Sequence, residues 1–160
     1  YLRLIPEHPF GPPECCCFTK KEEIPGLVVS PCGFGRGVYL PWKGGALYQR
    51  EGLANPFLFL QDVLFGFCGV QDLAPGLTPM VELVLCQKEE QLVVQLVNGT
   101  GCFANSWFAP VPVRDIHLSL PGVSGAVRTL NGGRLTVQEK SGALEVVLDV
   151  LDEYEAIVIQ

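Results

Sequence analysis

The chain has 160 residues, of which 48% are apolar and 18% are charged, and its formal net charge is −6 at pH 7. This composition excludes collagen and wholesale disorder, and the length excludes a complete (β/α)₈ barrel, which needs about 250 residues. The acidic balance leaves no broad basic face to neutralise phosphates, so we expect neither nucleic acid nor a membrane among the partners.

The first 14 residues are rich in proline and predict an extended, irregular lead-in. The chain begins at Tyr1 without the charged and apolar regions of a signal peptide, so we expect a fragment or a processed product. Its 7 cysteines have no regular spacing, which favours a reduced, cytoplasmic setting. His8 and His117 are both far in sequence from any cysteine pair with zinc-site spacing, so we predict no metal and no cofactor.

Two short strands are predicted at 26–30 and 38–40, and residues 32–37 between them carry three alternating glycines. A phosphate-binding loop would follow a strand and open a helix, whereas these glycines lie between two strands. We therefore predict a hairpin turn that needs a positive φ angle.

After the hairpin, apolar residues recur at helical spacing, and a short helical turn is predicted over residues 46–50. Asn55 is predicted to cap a second helix whose first position is Pro56. The apolar stretch 57–70 is shorter than the ~20 residues of a membrane span and is predicted to be a buried helix. Its core face is predicted at Phe57, Leu60, Val63, Leu64 and Phe67.

The periodicity changes from helical to alternating after a predicted linker at Leu73–Pro79. About seven strands, separated by turns at intervals of roughly 8–12 residues, predict an antiparallel immunoglobulin-like sandwich. Tyr154 is interpreted either as a tyrosine corner or as an ordinary half-buried strand residue. The fold class is thus a truncated α+β piece followed by an all-β sandwich.

Candidate catalytic groups are sparse. Acid/base hydrolysis needs two carboxylates across a cleft, and Glu82, Glu145, Asp149 and Glu155 are all predicted to point outward from strands. His117 alternates with Ile116 and Leu118 and is also predicted to face solvent. We therefore predict no catalytic residue in this chain.

The segment 98–108 contains two further motifs, and each has two interpretations. Asn98-Gly99-Thr100 matches the acceptor pattern for N-glycosylation, although an Asn-Gly turn that closes a strand is the favoured interpretation. The aromatic residues Phe103, Trp107 and Phe108 lie within a short loop and could stack on a sugar ring, or could cover the end of a sandwich or a domain interface.

Several motifs occur in the order found in the C-terminal regions of certain bacterial glycoside hydrolases. The chain resembles family 42 β-galactosidases and the α-L-fucosidase-like glycosidases allied to them. The motifs that carry the resemblance are residues 12–14, 25–26, 35–42, 47–53 and 96–101.

The resemblance implies that residues 1–76 are the end of an amidotransferase-like trimerisation domain. It implies that residues 77–160 are a small β-sandwich domain. It also implies that the catalytic barrel with its acid/base and nucleophile glutamates is a partner absent from this chain. Because a truncated α/β piece leaves apolar surface uncovered, we expect it to dock on the sandwich or to form a homo-oligomer. Trp42 and Tyr48 are the predicted contacts, with Arg50 at the rim.

Three hypotheses of function follow. The favoured one is a non-catalytic accessory and assembly region of a glycoside hydrolase. The alternative is a module that binds an oligosaccharide through Phe103, Trp107 and Phe108. A small enzyme that uses a cysteine from Cys15 to Cys17 is the third, although the sequence places no histidine to activate it.

Overall fold

A computed structural model describes residues 23–52, 54–103 and 105–160 of the chain. The chain divides into two compact units, Tyr1–Gln71 and Asp72–Gln160. As predicted, a small piece with helices and strands precedes a unit of antiparallel sheets. The proline-containing lead-in and Cys15–Cys17 lie outside the described residues.

The first unit contains the predicted hairpin, formed by β1 (Val28–Cys32) and β2 (Gly35–Tyr39). Cys32 pairs with Gly35, so the turn consists of Gly33 and Phe34. Gly33 has a φ of 57°, which glycine adopts without steric cost. Only one of the three alternating glycines therefore serves the turn, because Gly35 and Gly37 belong to β2.

Two helices follow, α1 (Gly44–Glu51) and α2 (Ala54–Gln61). Because α2 begins at Ala54, Asn55 and Pro56 lie inside its first turn, and the prediction of Asn55 as the N-cap is wrong. Proline is tolerated there, since the first N–H groups of a helix have no intrahelical acceptor. Within the described residues, no helix has the length and hydropathy needed to cross a bilayer.

The core face predicted for the second helix is only partly correct. A π-helix (Asp62–Phe67) continues α2, and the Cys68 N–H donates to the Val63 carbonyl, five residues earlier, at 2.9 Å. The wider turn breaks the spacing of 3.6 residues on which the prediction depends. Val63 is buried, whereas Leu64 and Phe67 are 46% and 43% exposed.

Seven of the described strands build the sandwich of the second unit. The strands are β3 (Val81–Lys88), β4 (Gln91–Asn98), β7 (Val113–Pro121), β8 (Val127–Thr129), β9 (Leu135–Lys140), β10 (Ala143–Leu151) and β11 (Tyr154–Ile159). Four form one sheet in the order β3-β4-β11-β8, and three form the other in the order β7-β10-β9, all in antiparallel pairs.

The core lies between these two sheets. Alternate residues of β10 are buried, and they join residues of β7, β4 and β11 in one apolar cluster. Full burial of each aliphatic side chain stabilises the fold by about 1.5–3 kcal/mol. The largest fully buried side chains are Leu96, Leu118, Leu144, Leu148, Leu151, Ile157, Val94 and Val146.

The segment predicted as a linker is part of the second unit. The Ser119 N–H of β7 donates to the Leu73 carbonyl at 2.8 Å, and Ala74 is buried in the core cluster. β7 is an edge strand of its sheet, so this segment occupies part of an otherwise open edge.

Candidate functional site: an exposed aromatic hairpin

The predicted aromatic loop is a small hairpin that connects the two sheets of the sandwich. Its strands are β5 (Cys102–Phe103) and β6 (Ser106–Trp107), which pair Cys102 with Trp107 and Phe103 with Ser106. The Phe108 N–H donates to the Gly101 carbonyl at 2.9 Å and extends the ladder by one pair.

Two glycines make the base of this hairpin possible. A Cβ atom on Gly101 would collide with the Phe108 carbonyl oxygen, and one on Gly99 would lie 2.9 Å from the Met80 carbonyl oxygen. The backbones approach too closely at both points for a larger residue. The two glycines therefore allow the hairpin to approach Met80, the residue before β3, and its own return strand.

The predicted sugar-binding residues are prominently exposed. Phe103 is 76% exposed, Trp107 is 80% exposed and Phe108 is 66% exposed, and Val111 beside them is 67% exposed. Residues 99–112 contain no charged side chain. Exposed apolar groups of this size on a neutral segment make the hairpin a candidate interaction surface.

The three rings lie on two faces of the hairpin. Cys102 and Trp107 are opposite each other in the ladder and share one face, whereas Phe103 and Ser106 share the other. Strand alternation puts Phe108 on the Phe103 face. The hairpin therefore presents one tryptophan on one side and two phenylalanines on the other, rather than a single aromatic platform.

A buried polar network anchors the hairpin to the sandwich. Asn98, the last residue of β4, is 7% exposed. Its Nδ2 group donates to the carbonyl oxygens of Val111 at 2.9 Å and Asp152 at 2.6 Å, with that of Leu151 at 3.3 Å. Its Oδ1 accepts from the Thr100 N–H at 3.1 Å and from the Thr100 hydroxyl at 2.7 Å.

Thr100 completes this anchor, because its Oγ1 accepts from the Val111 N–H at 2.8 Å. The two ends of the hairpin segment are thereby tied to each other and to the turn before β11. Because the Asn98 amide is buried and fully hydrogen-bonded, it is not accessible for glycosylation in the folded chain. The geometry supports the favoured interpretation, in which Asn98-Gly99 forms a turn at the end of β4. An Asx turn before glycine is the sequence signal for such an anchor.

The carboxylates that the sequence offers for acid/base chemistry have different surroundings. Glu145 Oε1 accepts from the Ser119 hydroxyl at 2.7 Å, and Asp149 Oδ2 is 3.6 Å from Arg134 Nε. Glu82 is exposed, as is His117. These side chains face outward, as predicted.

Glu155 contradicts the prediction of an outward position, since it is only 4% exposed. Its Oε1 accepts from the N–H groups of Asn131 at 2.9 Å, Ala156 at 2.9 Å and Leu130 at 3.2 Å, and its Oε2 accepts from Gly133 N–H at 2.9 Å. Four backbone donors satisfy this carboxylate, so its role is to hold the loop between β8 and β9.

Tyr154 is an ordinary strand residue of β11. Its hydroxyl lies 3.4 Å from Gln95 Oε1, a side-chain acceptor on the neighbouring strand β4. A tyrosine corner would bond to backbone instead. Tyr154 is therefore an ordinary strand residue, although it is exposed rather than half-buried.

The predicted interface residues lie in the first unit. The Trp42 ring is 5.4 Å from that of Phe59, and its Nε1 donates to the Gly26 carbonyl at 2.8 Å. The Tyr48 ring is 5.2 Å from that of Phe57. Both aromatic residues are half-buried, and Arg50 is exposed.

The cysteines and other candidate metal ligands do not cluster into a metal site in the described part of the chain. No group of three or more His, Cys, Asp or Glu side chains could hold an ion there. Cys32 and Cys68 are exposed free thiols, and Cys86 and Cys102 are half-buried free thiols.

The sequence matches no protein-family model. No curated protein matches it either. Among solved structures, the fold is similar to alpha-L-fucosidase isoenzyme 2 from Paenibacillus thiaminolyticus, with a TM-score of 0.64 and 14% sequence identity. The match covers 100% of this chain and 25% of that chain, so this chain spans a quarter of the length of its structural neighbour. The resemblance found in the sequence is thus confirmed at the level of a fold that occurs in a glycoside hydrolase.

Proposed function

We propose that this chain is a non-catalytic accessory and assembly region of a glycoside hydrolase of the β-galactosidase-like or fucosidase-like type. The observation that carries the proposal is the fold shared over its whole length with a quarter of an α-L-fucosidase. The motif order over residues 25–53, which resembles family 42 and allied enzymes, supports it independently.

The surroundings of the acidic residues are consistent with a non-catalytic role. Glu155 is fully occupied by backbone donors, and Glu145 and Asp149 each contact a neighbouring polar side chain. A catalytic barrel, a second copy of the chain, or both are the partners that this role requires.

Hydrolysis of nitrophenyl galactosides and fucosides tests the proposal. The 160-residue chain should show no turnover, and the variants Glu82→Gln and Glu145→Gln should behave like the wild type. Turnover that one of these substitutions abolishes would overturn the proposal, because it would place the catalytic acid in this chain.

A second candidate, an oligosaccharide-binding module, is favoured by the exposure of the aromatic hairpin. Stacking between two aromatic rings contributes about 0.5–1.5 kcal/mol, and we expect a sugar ring on Trp107 to gain a similar amount. Replacement of Trp107 by alanine should therefore weaken retention on an immobilised glycan by about 2- to 10-fold.

The matched control for that experiment is Phe34→Ala. Phe34 is fully exposed at the tip of the β1-β2 hairpin, outside the proposed sugar site, and its loss should leave retention unchanged. Equal loss from both variants, or no binding of any glycan by the wild type, would remove this candidate.

A further inference from the structure

The chain contains two Asn-Gly sequences, Asn98-Gly99 and Asn131-Gly132. In such pairs the backbone nitrogen of glycine can attack the side-chain amide carbon of asparagine. A carbon–nitrogen bond forms, ammonia leaves, and water then opens the succinimide ring to aspartate or isoaspartate. Glycine obstructs this attack least because it has no side chain.

The fold closes the first of these two sites. Both polar atoms of the Asn98 side chain are hydrogen-bonded within the core, and the residue is buried. The attacking group is also occupied, since the Gly99 N–H donates to the Met80 carbonyl at 2.8 Å. Deamidation at Asn98 therefore requires local unfolding around the base of the hairpin.

The second site is open to solvent. Asn131 and Gly132 are both exposed, and Gly132 has a φ of 85° in the loop between β8 and β9. The Asn131 Nδ2 group donates to the exposed Tyr154 carbonyl at 3.0 Å. Across the described residues, the Gly132 N–H has no hydrogen-bond acceptor.

We propose that Asn131 is a site of spontaneous deamidation in the folded protein, whereas Asn98 is protected by the fold. The other two asparagines are poorer sites by sequence. Asn55 precedes Pro56, which has no N–H group, and Asn105 precedes Ser106, whose side chain hinders the attack.

The modification acts directly on the loop that surrounds Glu155. The Asn131 N–H donates to Glu155 Oε1, and its side chain donates to the Tyr154 carbonyl. Deamidation replaces this side-chain donor by a carboxylate, which cannot donate to the Tyr154 carbonyl and adds a negative charge to the residue whose N–H binds Glu155. The isoaspartate product also inserts a methylene group into the backbone before Gly133, whose N–H donates to Glu155 Oε2.

Timed incubation in a warm, mildly alkaline buffer, followed by tryptic digestion and mass spectrometry, tests the proposal. Trypsin cleaves after Arg128 and Arg134, so Asn131 is isolated in a short peptide that contains no other asparagine. In the folded protein, conversion at Asn131 should be at least about tenfold faster than at Asn98, which must first open locally.

Incubation in denaturing urea supplies the control, because both Asn-Gly pairs should then convert at similar rates. Methylation by an isoaspartyl methyltransferase should label the aged wild type and leave Asn131→Ser unlabelled in this peptide. Equal rates at Asn98 and Asn131 in the folded protein, or no conversion at Asn131, would overturn the proposal.

Discussion

Two buried polar residues, Asn98 and Glu155, fix the connections of the sandwich. Each has its hydrogen-bonding atoms satisfied by several backbone groups that belong to different parts of the chain. No described buried side-chain nitrogen or oxygen lacks a partner. A buried polar group that loses its partners keeps its desolvation cost, so both residues should be sensitive to small changes.

Replacement of Glu155 by glutamine should destabilise the protein by about 2 kcal/mol, because charge-assisted bonds are lost and an amide donor faces backbone N–H groups. The midpoint of urea unfolding measures this change. Glu82→Gln, on an exposed position, should shift stability by less than about 0.5 kcal/mol. Equal midpoints for the two variants would contradict the structural role of Glu155.

Replacement of Asn98 by alanine should cost about 2–3 kcal/mol, since the Val111 and Asp152 carbonyl oxygens lose their donor. The same substitution at Asn105, which is exposed near the tip of the hairpin, is the matched control. Urea unfolding should show a large shift for the first variant only. A small shift for Asn98→Ala would mean that water replaces the network readily.

At the level of elements, the aromatic hairpin depends on close backbone contact. Replacement of Gly101 by alanine should raise the amide exchange rate of Phe108 at least about tenfold, because a Cβ atom there collides with the Phe108 carbonyl. Nuclear magnetic resonance measures this rate directly. Gly37→Ala is the control, since its Cβ would meet only the Ser30 carbonyl oxygen at 3.9 Å.

Alternation and turn residues predict the strands of the sandwich, whereas they do not reveal the hairpin at the site. Each of its strands is only two residues long, which is too short for a periodic signal. The prediction that Glu155 points outward is wrong, because four backbone N–H groups satisfy its carboxylate inside the central strand β11. Alternation with Ile157 and Ile159 does place Glu155 on the core side.

The helical segment shows the opposite failure, in which a clear pattern predicts the wrong surface. Helical spacing correctly predicts a helix after residue 53, but the π-helix then rotates Leu64 and Phe67 outward. No residue preference in this apolar stretch distinguishes an α-helical from a π-helical continuation. Hydrogen-bond geometry, rather than periodicity, decides which apolar side chains are exposed.

At the scale of the whole molecule, apolar burial is uneven. Among the described residues of the first unit, Val63 is the buried apolar core residue, and the remaining core residues belong to the second unit. The first unit exposes a set of large apolar side chains: Ile24, Val28, Val29, Phe34, Tyr39, Leu58, Leu64, Phe65, Phe67 and Val70. A stable association should cover part of this surface.

We therefore predict a homo-oligomer, or docking of the first unit on the sandwich. The double variant Trp42→Ala, Tyr48→Ala should lower the molar mass of an oligomer measured by light scattering. Glu82→Gln, at an exposed position of the second unit, is the control and should leave the mass unchanged. A monodisperse wild-type monomer whose two units melt and exchange amide hydrogens independently would contradict both forms of the prediction.

The bond between the Ser119 N–H and the Leu73 carbonyl has a consequence for aggregation. Without the segment before Thr78, part of the β7 edge would present unpaired donors and acceptors to other chains. The buried side chain of Ala74 would be lost from the core as well. A chain shortened to begin at Thr78 should therefore precipitate at concentrations at which a chain that begins at Asp72 stays dispersed.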